Sequence, residues 1–285
     1  MSEDNSDSWT KKLIVLTIFL GVIILTAELD WAAEHPDVGL AIRLMWLITL
    51  LSLGLILPIV FMYLAGNKDR EKGESDKNWL IIAIVLFVIA NGIPIVFYVI
   101  LEISPGFFLY VQLILFGLIP AFFLQPKKSK SRILILVILF AVILIPIGFL
   151  VNSSINDLWY EGVTEKTLYY MSFWGLLMTF FYLILAIGWK LGGGSKRQSW
   201  NIFVTGTLLQ YSTLEDFLYF ILNGESLPRG PDHWYWMEDF VINLKALFGH
   251  NPTSLDLLLF CFIITVIALF ILFDGHGYIW NKFKS

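Results

Sequence analysis

Residues 254–273 read SLDLLLFCFIITVIALFILF, an apolar run whose one charge, Asp256, stands near its start. A helix rises 1.5 Å per residue, so this run covers about 30 Å, the thickness of a bilayer's hydrocarbon core. Its apolar residues are continuous rather than alternating, which argues for a helix over a barrel strand. Working back from it, comparable runs occupy Lys12–Leu29, Gly39–Leu64, Asn78–Leu101, Gly106–Leu124, Ile133–Val151, Leu168–Leu191 and Trp200–Leu222. Together they predict an all-α, polytopic integral membrane bundle of about eight transmembrane helices.

The composition agrees. Hydrophobic residues make up 58 % of the 285 and charged residues 15 %, against about 25 % charged in soluble domains. Such a surface in water would aggregate. The expected organisation is a disordered tail over 1–11, one membrane domain over 12–273 and a short tail over 274–285, with no second globular unit. The lone cysteine, Cys261, excludes an intramolecular disulfide framework. Lys11 and Lys12 ahead of the first run resemble the flank of a signal peptide. The segment that follows, AELDWAAEHPD, is acidic and lacks a small-x-small cleavage site, so a retained signal-anchor helix is expected.

Positive charge sets the orientation. Lys11 and Lys12 precede the first run. Lys68, Arg70, Lys72 and Lys77 lie between the second and third, and Lys127, Lys128, Lys130 and Arg132 between the fourth and fifth. Lys190, Lys196 and Arg197 separate the sixth and seventh, and Lys282 and Lys284 close the chain. With eight spans, all of these fall on one side. The positive-inside rule makes that side the cytoplasm, with both termini there and the plasma membrane as the expected location. The other face is acidic and aromatic: Glu28, Asp30, Glu34, Asp37 and Glu225 are among its acids, with Trp31, Trp159, Trp234 and Trp236 as an interfacial belt. Between Asn223 and Asn251, turn chemistry in GESLPRGP gives way to an amphipathic stretch at about 232–248. It is expected as one outer-face helix, either resting in the interface or lidding a cavity.

The seventh run, WNIFVTGTLLQYSTLEDFLYFILNG, is unlike the others because it carries Glu215 and Asp216 side by side. At 100° per residue, Asn201, Thr205, Ser212, Glu215, Asp216, Tyr219 and Asn223 share an arc of about 100°, with Gln210 opposite. A carboxylate facing acyl chains costs about 2.5–3.5 kcal/mol even on the mildest scale, so the stripe is expected to face companion helices. Arg43 enters the second run from the same side and has the reach to pair with either acid. Asn91 and Gln112 lie at broadly similar depth in the third and fourth runs. The expected site is an outward-facing polar pocket built from Arg43, Asn91, Gln112, Glu215, Asp216 and Tyr219. Each also has a plainer role open to it: an Arg–carboxylate network and interhelical amides can simply hold helices together, and Arg43 can snorkel.

Adjacent carboxylates in a dry site oppose each other's ionisation, so such a pair can relay protons, bind a cation or act as a general acid. Three functions therefore stay open. The first is binding or transport of a small or lipidic ligand, responsive to pH and lost on Glu215→Gln or Asp216→Asn. The second is an intramembrane enzyme acting on a lipid or isoprenoid, with Glu215 and Asp216 as general acid. The third is an assembly or scaffold protein. LEDFLYF at 214–220 resembles the acidic motif of membrane-bound carotenoid lycopene cyclases, in which an intramembrane carboxylate pair protonates a polyene. The resemblance is confined to that segment, and Thr213 and Leu214 stand where a proline usually precedes the acids.

Other chemistries find no support. His35, His233, His250 and His276 lack metal-ligand spacing, so neither a metal nor another cofactor is expected. Gly192-Gly193-Gly194-Ser195-Lys196 lacks the Walker spacing and reads as a turn. The basic clusters hug span ends and suit lipid headgroups rather than nucleic acid, which leaves membrane lipids as the expected partners.

Overall fold

The computed structural model describes residues 3–35, 37–66, 85, 132–157, 169–228, 249–250 and 252–275. Apart from residue 85, the runs expected at Asn78–Leu101 and Gly106–Leu124, with Asn91 and Gln112, lie outside the described residues, as does the outer helix at about 232–248. Among the described residues every regular element is helical. Five stretches are long and apolar enough to cross a membrane: Trp9–Glu34, Leu40–Ala65, Arg132–Ile155, Ser172–Leu191 and Ser254–Leu272. Large side chains such as Ile48, Phe149, Leu255 and Phe262 stand exposed along them. The architecture is that of a helical membrane protein.

The first helix, α1 (Glu3–Glu34), is longer than expected at both ends. The segment taken for a disordered tail is helical from Glu3 onward. It contains no Pro or Gly to stop a helix, and Trp9 lies against Phe273 at a ring separation of 4.7 Å. At the other end α1 does not stop at Leu29. Its next five residues, DWAAE, contain no breaker, and the helix runs on until just before His35 and Pro36.

Helix α2 (Leu40–Ala65) runs back alongside α1. A helical rod then comprises α3 (Arg132–Leu139), a π-helical turn (Phe140–Leu144) and α4 (Ile145–Asp157). The π turn falls just ahead of Pro146, whose ring would clash with a carbonyl four residues back. A second π-helical segment, Met171–Met178, leads into α5 (Thr179–Leu191). After a turn come α6 (Lys196–Gln210), α7 (Leu214–Leu222) and finally α8 (Ser254–Leu272). Ser195 caps α6 reciprocally with Gln198, and Thr253 caps α8 with Asp256, so both starts are fixed by capping boxes.

The seventh run is therefore not one helix. It breaks at 211–213, where Thr213 adopts a left-handed conformation with φ 68°. This is unusual for a β-branched residue and carries backbone strain. The cause is local. Ser212 Oγ donates back to the Leu209 carbonyl at 2.7 Å, and Thr213 Oγ1 donates to the Leu257 carbonyl of α8 at 3.3 Å. Side-chain hydroxyls that take backbone partners compete with the helix ladder.

Contacts fix the helix directions. A Cβ on Gly188 would lie 2.2 Å from the Pro58 carbonyl oxygen, and one on Gly192 would lie 2.1 Å from that of Met62. Helices α2 and α5 thus run parallel and touch backbone to backbone, in the small-xxx-small manner of membrane helices. Leu144 packs at Gly54 and Leu51 at Gly148, which sets the α3–α4 rod antiparallel to α2. Thr205 Oγ1 donates to the Ala268 carbonyl at 3.1 Å, and Asn201 Nδ2 reaches Asp274 at 3.4 Å, so α8 is antiparallel to α6. The bundle therefore has two chemically different ends. At one, Arg197 is ion-paired to Asp274, with Lys12 close by. At the other, the ends of α1 and α7 meet the residues that precede α5.

Candidate functional site

The acidic end is assembled from three elements. Helix α1 contributes Asp30 and Glu34, one turn apart on the same face. The break at 211–213 starts α7 afresh and places Glu215 and Asp216 in its first turn. Tyr169 and Tyr170, at the start of the helical segment that leads into α5, close the third side.

Hydrogen bonds tie these elements together. Tyr169 OH donates to Asp30 Oδ1 at 2.7 Å. Glu34 accepts from Tyr170 OH on Oε1 and from Tyr219 OH on Oε2, the latter at 3.0 Å. A rim follows: Trp31 Nε1 donates to Glu225 Oε1 at 2.7 Å, His35 Nε2 lies 3.3 Å from the same oxygen, and the imidazole stacks on Trp31 at 4.6 Å. The carboxyls sense one another. Glu215 interacts electrostatically with Asp30, Asp216 and Glu34, and Asp30 with Glu34 and Asp216.

Glu215 is the exception within this network. Its side chain is only 3 % exposed. Its Oε1 is buried and accepts no hydrogen bond among the described residues. A buried polar atom without a partner costs about 1–3 kcal/mol, more when charged. The positive end of the α7 dipole, equivalent to about half an elementary charge, lies at this turn. Among the described residues no group of His, Cys, Asp and Glu converges in the way a metal ion requires.

Below the cluster lies a satisfied polar link. Gln210 donates to Thr26 Oγ1 at 2.9 Å and accepts from Tyr182 OH at 2.8 Å, joining α1, α5 and α6. Tyr211 OH donates to the Trp174 carbonyl at 2.5 Å. Cys261 packs with Phe217, Leu257 and Phe260 where α8 covers α7.

No protein-family model, curated protein or solved structure matches the chain. The site's chemistry therefore rests on its own residues.

Of the six residues expected to form the pocket, the structure brings Glu215, Asp216 and Tyr219 together. Arg43 occupies the first turn of α2, partly buried, with Nε and Nη1 shielded from solvent. The others, Asn91 and Gln112, lie outside the described residues. Of the hydrophilic edge of the seventh run, Asn201, Thr205, Ser212 and Glu215 are buried, and Asp216, Tyr219 and Asn223 are half-buried. The arc drawn along an unbroken helix does not carry across 211–213, however, and Gln210, placed opposite, is buried too because α6 is enclosed on nearly all sides.

Asp30, Glu34, Tyr169 and Tyr170 were not expected in the site. By sequence the two acids belong to the acidic outer face, because the apolar run ends at Leu29. The signal that corrects this is the absence of Gly or Pro before Pro36, with 30 and 34 at helical spacing.

Proposed function

We propose that the chain is a multi-pass membrane protein that binds or transports a small or lipidic ligand through a polar pocket centred on Glu215 and Asp216. The pocket is completed by Asp30, Glu34, Tyr169, Tyr170 and Tyr219. One observation carries the reading: a buried carboxyl oxygen on Glu215 is left unpaired in the middle of a network that satisfies its neighbours. A purely structural network would gain by pairing that oxygen or by replacing Glu215 with an apolar residue. Retained at a cost, it suits a partner that comes and goes.

Depth supports access from the outer side. Asp30 lies about 27 Å along α1 from Lys12 at 1.5 Å per residue, close to the far boundary of a hydrocarbon core about 30 Å thick. Basic side chains gather at the opposite end, and the positive-inside rule makes that end cytoplasmic, with the pocket facing outward across the plasma membrane. The expected count remains about eight spans.

The test is retention of ligand. The full chain and its Glu215→Gln and Asp216→Asn variants are purified from the same membranes, and the small molecules and lipids that accompany each are compared by native mass spectrometry. A species retained by the parent and absent from both variants is expected. Identical species on all three would overturn the proposal and favour a scaffold.

A further inference from the structure

We infer that the group this pocket recognises is a protonated primary or secondary amine carried on an apolar body. The inference rests on the pocket reading above and names its ligand class.

Among the described residues, the side-chain hydrogen bonds to Asp30 and Glu34 come from neutral tyrosine hydroxyls. Tyrosine orients a carboxylate but supplies no countercharge. Glu215 Oε1 lacks even that much. A hydrogen-bond donor suits that oxygen, and a positive charge there would offset the crowding of Glu215, Asp30 and Glu34. An anion is excluded by charge. A quaternary ammonium has charge but no N–H to give. An ammonium with two or three N–H groups meets both needs, and a charge-assisted bond to a buried carboxylate is the strong kind.

Size points the same way. The carboxyls interact across the site without closing on a common point. Divalent metals need several oxygens within about 2.0–2.6 Å. An ammonium bridging Glu215 to Asp30 tolerates wider spacing, because each N–H reaches its own acceptor. The walls supply π faces as well: Tyr169, Tyr170 and Tyr219 surround the acids, with Trp31 and His35 stacked at the rim. Aromatic rings of this kind favour a cation within about 6 Å. Finally, Ile221 and Leu222 stand exposed at the end of α7, beyond the acids in its first turn. An apolar body can lie there while its head group enters the pocket.

The experiment uses four amphiphiles sharing a decyl chain: decylammonium, decyltrimethylammonium, decanol and decanoate. Each is titrated calorimetrically, below its micellar concentration, into the full-length chain in maltoside micelles at neutral pH. The parent is compared with Glu215→Gln and with Asp30→Asn, whose amide oxygen still accepts from Tyr169. Thermal unfolding without ligand establishes that each variant is folded. Decylammonium is expected to bind saturably and to weaken at least about tenfold in both variants, as loss of one charge-assisted hydrogen bond implies. Decyltrimethylammonium is expected to bind at least about tenfold more weakly than decylammonium. Glu215-dependent binding of decanol or decanoate, or equal binding of both cations, would overturn the amine while leaving the pocket standing. No Glu215-dependent binding by any of the four would overturn the amine and count against the pocket as well.

Discussion

Glu215 decides whether the acidic end is a site or a brace, and its stability tells the two apart. A carboxyl that braces helices loses stability when removed; an unpaired buried one costs the fold free energy while it stays. Glu215→Leu keeps the bulk of the side chain and discards the charge. The expected outcome is a folded protein whose thermal midpoint in detergent rises, corresponding to about 1–3 kcal/mol, together with loss of ligand retention. A drop in midpoint would make Glu215 structural. Tyr169→Phe acts in the opposite direction. It strips Asp30 of the donor held at 2.7 Å inside a buried pair, and a loss of about 1–3 kcal/mol is expected in the same measurement. Asp30→Asn, which keeps that hydrogen bond, is expected to cost less than Tyr169→Phe. The ordering of the two is the check, because it separates the hydrogen bond from the charge.

At the scale of elements, the contact between α2 and α5 is the tightest described, and glycine permits it. At Gly188 any Cβ meets the Pro58 carbonyl 2.2 Å away, and that oxygen belongs to backbone and cannot swing aside. Gly188→Val is expected to force the helices apart and to destabilise the fold by about 1–3 kcal/mol, read as a lowered midpoint in detergent. Gly21 in α1 is the control: a Cβ there meets nothing within 4 Å, so Gly21→Ala is expected to leave the midpoint unchanged or higher. Elements were also where sequence reading went furthest and where it stopped. Apolar length alone placed α2 and α8 to within about a residue, and the α3–α4 rod and the π-helical segment leading through α5 to within about six, because a bilayer demands that length of any crossing helix. The same averaging hid the break in the seventh run, where Tyr211 to Thr213 interrupt a stretch that stays apolar on both sides. The clue lay in hydroxyls ahead of acids: Ser212-Thr213 followed by Glu215-Asp216 is a helix-start pattern in the middle of a presumed helix. The Glu-Asp pair was legible as a site from its depth. Asp30 and Glu34 were not, because their role depends on α1 running past the point where its hydropathy falls.

At the scale of the whole molecule, helix directions constrain what the sequence could only count. Helix α2 and the α3–α4 rod are antiparallel and packed together, so α2 finishes at the end of the bundle where the rod begins. Two apolar runs lie in that interval of the sequence. The order of directions also brings the first and last described helices together at the basic end, through Trp9 and Phe273. These constraints give a topology test that does not depend on the ligand. Cys261 is buried, so a Cys261→Ser background leaves a chain without thiols into which single cysteines can be placed. Ser226, exposed beyond α7 at the acidic end, and Thr10, exposed near the start of α1 at the basic end, are suitable positions. In intact cells a membrane-impermeant maleimide is expected to label Ser226→Cys at once and Thr10→Cys only after the membrane is opened. The reverse pattern would keep the bundle but turn the pocket toward the cytoplasm, so that any ligand would have to be drawn from inside the cell. Labelling of both positions in intact cells would contradict the placement of the two chemically different ends on opposite faces of a membrane, and with it the reading of α1 as a helix that crosses.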